Sequence, residues 1–254
     1  MVYPNFNLEA LPRFSSTIIV GKGSSGKSVL LLDQVKRITA TREISHVYII
    51  NCNPIQNRKF LGLGQKTEKY YSDFSFETLM QISNTQRSLI KENPTVECVL
   101  VVDDTHLNKN KFKGFVDCIV RDDLHCTIIL LSQSLVDFDW RSLEYFNYCF
   151  MAREYSQLQV NTIYRKMLIK SNISCNYFHQ RLRDNTKNFN FLLYCKNTNS
   201  FFCHNSNNSM PIRNKEHIDS FEYIDWIGYG DDIKVILHCD KKNNTKNKKL
   251  CIEV

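Results

Sequence analysis

Apolar residues in this chain gather in short continuous runs, and each run stops at a glycine or a polar tip. STIIVG (16–21), HVYIIN (46–51), ECVLVVDD (97–104), CTIILLSQ (126–133) and YCFMAR (148–153) are runs of this kind and read as buried strands. Helical spacing fills the gaps. Val29, Leu30, Leu32, Val35 and Ile38 recur at helical intervals after the first run. FETLMQISNTQRSLIKEN (76–93) reads as a helix that Pro94 ends. Phe112, Phe115, Val116, Ile119 and Val120 predict another helix, and 157–170 and 174–184 two more. Residues 188–195 and 200–204 read as a final hairpin or edge pair; 52–74, with its Pro, Gly and polar clusters, reads as loop. Continuous apolar strands alternating with helices predict an α/β fold, a mainly parallel central sheet with helices on both faces. The pattern weakens from about residue 205. One domain is therefore expected over 1–204, and an irregular extension with a basic tail over 205–254.

Composition narrows the class. The 254 residues are 43% hydrophobic and 23% charged, enough to bury a sizeable core. No apolar run reaches the ~18–20 residues of a membrane span. The opening MVYPNFNLEALPRF lacks the basic-then-apolar order of a signal peptide, so a soluble, intracellular protein is expected. Ten cysteines show no C-x-x-C spacing and read as free thiols of a reducing compartment. The net charge of +7 is compatible with contacts to a phosphate backbone, although KKNNTKNKK at 241–249 supplies part of it.

The candidate chemistry sits at the ends of the strands. GKGSSGKS (21–28) matches G-x-x-x-x-G-K-[ST], between a β-branched strand and an amphipathic helix. Such a loop holds phosphates. Gly21, Gly23 and Gly26 let the backbone curl so that N–H groups of Lys22, Ser24, Ser25 and their neighbours face the ligand. Lys27 is expected to reach the β- and γ-phosphates, and Ser28 to ligate Mg²⁺. CVLVVDD delivers Asp103 at the end of a buried strand, the Walker B position that holds Mg²⁺. Asp104 then reads as the carboxylate that polarises the attacking water, or as the cap of a turn at Thr105-His106. Gln133 ends the next strand and reads either as a group touching the γ-phosphate or water, or as a surface-loop residue. Arg121, Arg141 and Arg153 are candidates for an arginine reaching a neighbouring subunit's γ-phosphate, with Arg121 preferred.

The series GKGSSGKS, VLVVDD, RDDLHCTIILLSQ and YCFMAR, in this order, resembles the FtsK–HerA superfamily. More narrowly it resembles the genome-packaging ATPases of the large nucleocytoplasmic DNA viruses and virophages. The resemblance covers about residues 14–200, and its strongest elements are Asp103-Asp104 and Ser132-Gln133. The family's arginine ahead of the Gln strand maps best to Arg121, here followed by Asp122 where the family usually has His. The resemblance implies a RecA/FtsK-like P-loop core with an additional strand and hydrolysis of ATP with Mg²⁺. It further implies a homo-oligomeric ring (pentamer or hexamer), double-stranded DNA as the load, capsid or portal-vertex proteins as further partners, and a place in the virion or the viral factory of the host cytoplasm. Arg58, Lys59, Lys66, Lys69 and the tail lysines are candidate DNA contacts.

Other classes remain open. Another DNA motor or a helicase shares the same motifs. In a nucleotide kinase, QRLRDN (180–185) would serve as a lid carrying two arginines, but Asp104 and Gln133 would have no task there. A GTPase would need N-K-x-D, and LNKNKF lacks the Asp.

Overall fold

The computed structural model describes residues 5–51, 68–103, 114, 115, 119, 124–136, 138, 143–154, 156–169 and 173–205, and the backbone of 221–227 and 234–239. Asp104, Arg121, Arg141, Arg58, Lys59, Lys66 and the tail lysines lie outside the described residues, as does most of the helix expected around Phe112–Val120.

Eight strands form one sheet in the order β3-β2-β4-β5-β1-β6-β7-β8. They are β1 (Ser16–Val20), β2 (Ile44–Asn51), β3 (Glu68–Tyr71), β4 (Glu97–Asp103), β5 (Cys126–Ser132), β6 (Tyr148–Met151), β7 (Asn190–Cys195) and β8 (Ser200–Asn205). The first six run parallel, and β7 and β8 add an antiparallel edge. The apolar stretches of these strands are buried because both faces are covered. On one face α1 (Lys27–Thr41) packs Leu30, Leu31, Val35 and Ile38 against Ile19, Val47, Ile49, Val99, Val101, Ile129, Leu131 and Phe150. The other face holds α2 (Phe76–Glu92), α3 (Gln157–Ile163) and α4 (Cys175–Asn185), whose Leu79, Ile82, Val160, Phe178 and Leu182 meet Ile18, Val20, Leu100, Val102, Ile128 and Leu130. Adjacent residues of one strand thus belong to opposite cores, as the two-residue period requires.

Three elements differ from the sequence reading. The expected loop over 52–74 contains β3, which pairs with β2 from Val47↔Glu68 to Ile50↔Tyr71. Its EKYY is only half-buried, and the polar residues that argued for loop suit an edge strand. The helix expected over 157–170 is regular only to Ile163 and widens into a π turn at Tyr164–Leu168. Residues 210–254 form a compact unit of their own. There β9 (Phe221–Ile227) and β10 (Lys234–Cys239) pair antiparallel, where irregular chain is expected. FEYIDWI and KVILHC, separated by GYGDDI, carry the aromatic and β-branched residues that favour a hairpin.

The N-terminal edge of the sheet is held by a buried charge. Glu97 is inaccessible to solvent and accepts from Arg13 Nε (3.1 Å), Arg42 Nη1 (3.2 Å) and the Thr127 hydroxyl. The opposite, C-terminal edge carries the polar strand tips.

Candidate functional site

GKGSSGKS connects β1 to α1, and its backbone is bent by two left-handed residues, Ser24 (φ 58°) and Gly26 (φ 88°). Alternation of this kind turns successive N–H groups into one concavity, which suits an anion. Gly26 tolerates its φ because it lacks a Cβ. Gly21 is required for another reason. A Cβ there would lie 2.5 Å from Ala152 Cβ and 2.7 Å from Ser25 Oγ. Gly23 needs neither freedom; a Cβ on it would meet nothing within 4 Å. Its surroundings are open, and Lys22 to Ser24 are exposed.

The start of α1 is unlike that of the other helices. Ser75, Ser156 and Ser174 each accept a hydrogen bond from the first turn of α2, α3 and α4. Gly26 offers α1 no side-chain cap. The first-turn N–H groups and the positive end of the helix dipole remain for a ligand. Ser25 Oγ is buried and has no hydrogen-bond partner among the described residues. The Lys27 ammonium lies over the loop, donating to the carbonyls of Gly21 and Lys22.

Strand order brings the remaining groups beside this loop. β5 lies between β1 and β4, with Val20 opposite Ser132 and Val102 opposite Leu130. The Gly21 N–H donates to the Ser132 carbonyl at 3.1 Å. Asp103 ends β4 one position past Val102, on the face of Val99 and Val101, which is the face α1 covers. It is 6% exposed. Gln133 follows Ser132 directly, exposed in a bend at the end of β5, next to the residue whose carbonyl holds Gly21. Asp103 and the P-loop thus share the α1 face of this sheet edge, and the end of β5 lies between them.

The same rule identifies a residue that the sequence reading missed. Asn51 ends β2 directly opposite Asp103, fully buried, on the face of Val47 and Ile49. Its signal was the one used for Gln133: a polar residue at the tip of an apolar strand. Arg153 goes the other way. It follows Met151 by two residues and shares the opposite face. There it lines a cavity of about 500 Å³ with Glu154, Gln157, His179 and Arg183 from α3, α4 and the preceding turn. QRLRDN, the lid of the kinase reading, is part of the regular helix α4, and its Leu182 is 1% exposed in the core. Lys69 sits on β3 with its ammonium 5.8 Å from the centre of the Tyr48 ring. No group of three His, Cys, Asp or Glu placed to hold a metal occurs among the described residues. The described cysteines are free, and burial pushes the Cys149 thiol up to about 12. Among the described residues, no helix is long and apolar enough to cross a membrane.

No protein-family profile matches the chain, and no curated protein matches it in sequence. Solved structures do match in fold. The genome packaging NTPase B204 of Sulfolobus turreted icosahedral virus 2, in complex with sulfate, superposes with a TM-score of 0.59 at 16% identity, over 76% of this chain and 97% of that one. B204 from Sulfolobus turreted icosahedral virus, a DNA-packaging ATPase, gives 0.59 at 15% identity, over 76% and 98%. A two-ATPase segment of EccC from Thermomonospora curvata gives 0.50 at 11% identity, over 80% of this chain and 39% of that one. The α/β fold that the motif series implies is thus shared with these solved structures.

Proposed function

We propose that this chain is an ATPase that drives double-stranded DNA, the subunit of a ring motor that packages a viral genome. The observation that carries this reading is the position of β5. Inserted between the P-loop strand and the Asp103 strand, it ends at Ser132, whose carbonyl holds Gly21, and this supports a Gln133 that responds to the γ-phosphate or the water. A kinase has no task for that group, and its candidate lid is a packed helix.

In this reading the N–H groups of residues 22–28 hold the phosphates and Lys27 neutralises the β/γ end. The uncapped start of α1, the left-handed Ser24 and Gly26, and the unpartnered Ser25 hydroxyl fit such a ligand. Mg²⁺ bound with the nucleotide would supply charge neutralisation at the phosphates. Ser28 and Asp103 would hold it, one hydroxyl and one carboxylate being a hard-oxygen set that leaves room for phosphate and water ligands. Asp104 orients and deprotonates the attacking water, Gln133 senses the product, and Arg121 reaches into the neighbouring subunit's site. The fold shared with B204 supports the packaging assignment, with duplex DNA as load, capsid or portal-vertex proteins as partners, and the virion or viral factory as the place of action.

The deciding measurement is ATP turnover with and without long duplex DNA. A motor accelerates on DNA, with a steep loss of DNA affinity as salt rises. Turnover indifferent to DNA, together with phosphoryl transfer to a nucleoside monophosphate, would reject the reading.

A further inference from the structure

The turn before β7 adopts a conformation that its residues disfavour. Asn190 N–H donates to the Lys187 carbonyl at 3.1 Å, closing a β-turn whose central residues, Asn188 and Phe189, both have left-handed φ, 54° and 59°. This is the pattern of a type I′ turn, in which Asn-Gly is the usual pair because a Cβ at positive φ is strained. Asn188 suits its place. Phe189 stands where glycine is preferred, and burial gives it little in return, since it is 56% exposed. Strain held at one residue is grounds for asking what its side chain does.

The ring meets the phosphate loop. Phe189 Cδ1 lies 3.4 Å from where a Cβ on Gly26 would stand. Phe191 of β7, on the α1 side of the sheet, approaches the same point, its Cε2 3.8 Å away. Sheet order also fixes which end of a nucleotide comes here. Asp103 and Gln133 lie on the β4–β5 side of β1, so the phosphate to be cleaved must point that way. The nucleoside then leaves on the other side, toward β6 and β7, where Phe189 projects.

We infer that Phe189 is the platform on which the base of the bound nucleoside triphosphate stacks. The inference rests on the P-loop reading above and adds the base-binding group to it. Stacking needs a flat π surface and no hydrogen-bond partners, which an exposed phenylalanine supplies.

The test compares ATP with inorganic tripolyphosphate, which has the phosphates and no base. Phe189→Gly is the informative variant, because glycine suits the left-handed turn and the fold is kept. It should weaken ATP binding about tenfold and leave tripolyphosphate binding unchanged. Phe189→Trp should retain ATP affinity, and its indole emission should change with ATP and not with tripolyphosphate. Equal ATP affinity in Phe189→Gly, or an equal loss for both ligands, overturns the inference and spares the P-loop reading. If the unaltered protein binds neither ligand, the P-loop reading falls and the stacking role falls with it.

Discussion

The N–H of Gly21 donates to the carbonyl of Ser132 at 3.1 Å. One hydrogen bond thereby joins the first residue of the phosphate loop to the end of the strand that carries Gln133. On the other side of the same glycine, the Ala152 N–H donates to the Val20 carbonyl at 2.8 Å. Gly21 is clamped between two strand ends, and a movement of the loop is felt by both.

That clamp makes Gly21 intolerant of a methyl group. Gly21→Ala sets a new Cβ 2.5 Å from that of Ala152, which is fixed at the end of β6. The loop must shift, with a strain of about 1–3 kcal/mol. ATP affinity should fall about tenfold or more. Removing the opposing methyl in Gly21→Ala/Ala152→Gly should recover part of the loss. Titration with a fluorescent ATP analogue measures both, and a double variant no better than the single one contradicts the steric account.

Hydrolysis should separate from binding at the acidic pair. Asp104→Asn keeps ATP–Mg²⁺ affinity and lowers kcat by about 10²-fold or more, because it removes the proposed base. Lys27→Ala loses affinity and turnover together. Steady-state kinetics beside equilibrium binding distinguishes the two patterns, and near-normal turnover in Asp104→Asn rules out its role.

Assembly is testable by mixing. An arginine supplied in trans contributes about 10³–10⁵ in kcat in P-loop enzymes. Lys27→Ala subunits keep the arginine, and Arg121→Ala subunits keep the site, so the mixture should regain activity that neither has alone. Arg153→Ala should not complement in this way, because Arg153 lines the cavity on the face away from α1. Activity of the unaltered protein should also climb with its concentration. A fully active monomer removes the ring.

Acid should weaken the fold in part through His204. Burial holds its pKa below the ordinary histidine value, against smaller opposing effects of the Phe6 carbonyl and Asp33, while Arg37 lowers it further. The unfolded chain takes up the proton near pH 6.5 and the folded chain resists it. The stability tied to this group is therefore full above about pH 6.5. It declines as pH falls through that value and levels off below the depressed folded pKa. Urea unfolding between pH 7.5 and 5 should show this decline, and His204→Asn should flatten it. An unchanged slope means that other groups carry the acid sensitivity.

Local pattern along the chain specified the apolar strands β1, β2, β4, β5 and β6, the phosphate loop and the place of Asp103 at a strand end. Each rests on a local rule: an apolar run, a glycine spacing, an acid after four buried residues. Those rules reach a few residues along the chain, and the fold obeyed them because the buried strands leave no other place for their side chains. The tertiary structure alone decided who stands beside whom. EKYY became a strand because β2 offered an unpaired edge, which no feature of 68–71 announces. Asn51 joined Asp103 because β2 pairs with β4 in a register set 52 residues away. Gln133 gained its neighbours from the insertion of β5, and Arg153 was turned to the opposite face by a single step of parity. Phe189, expected inside the strand of 188–195, lies instead in the turn before β7, held against Gly26. Register and strand order come from pairing between distant segments, and a site made of strand tips inherits its geometry from both.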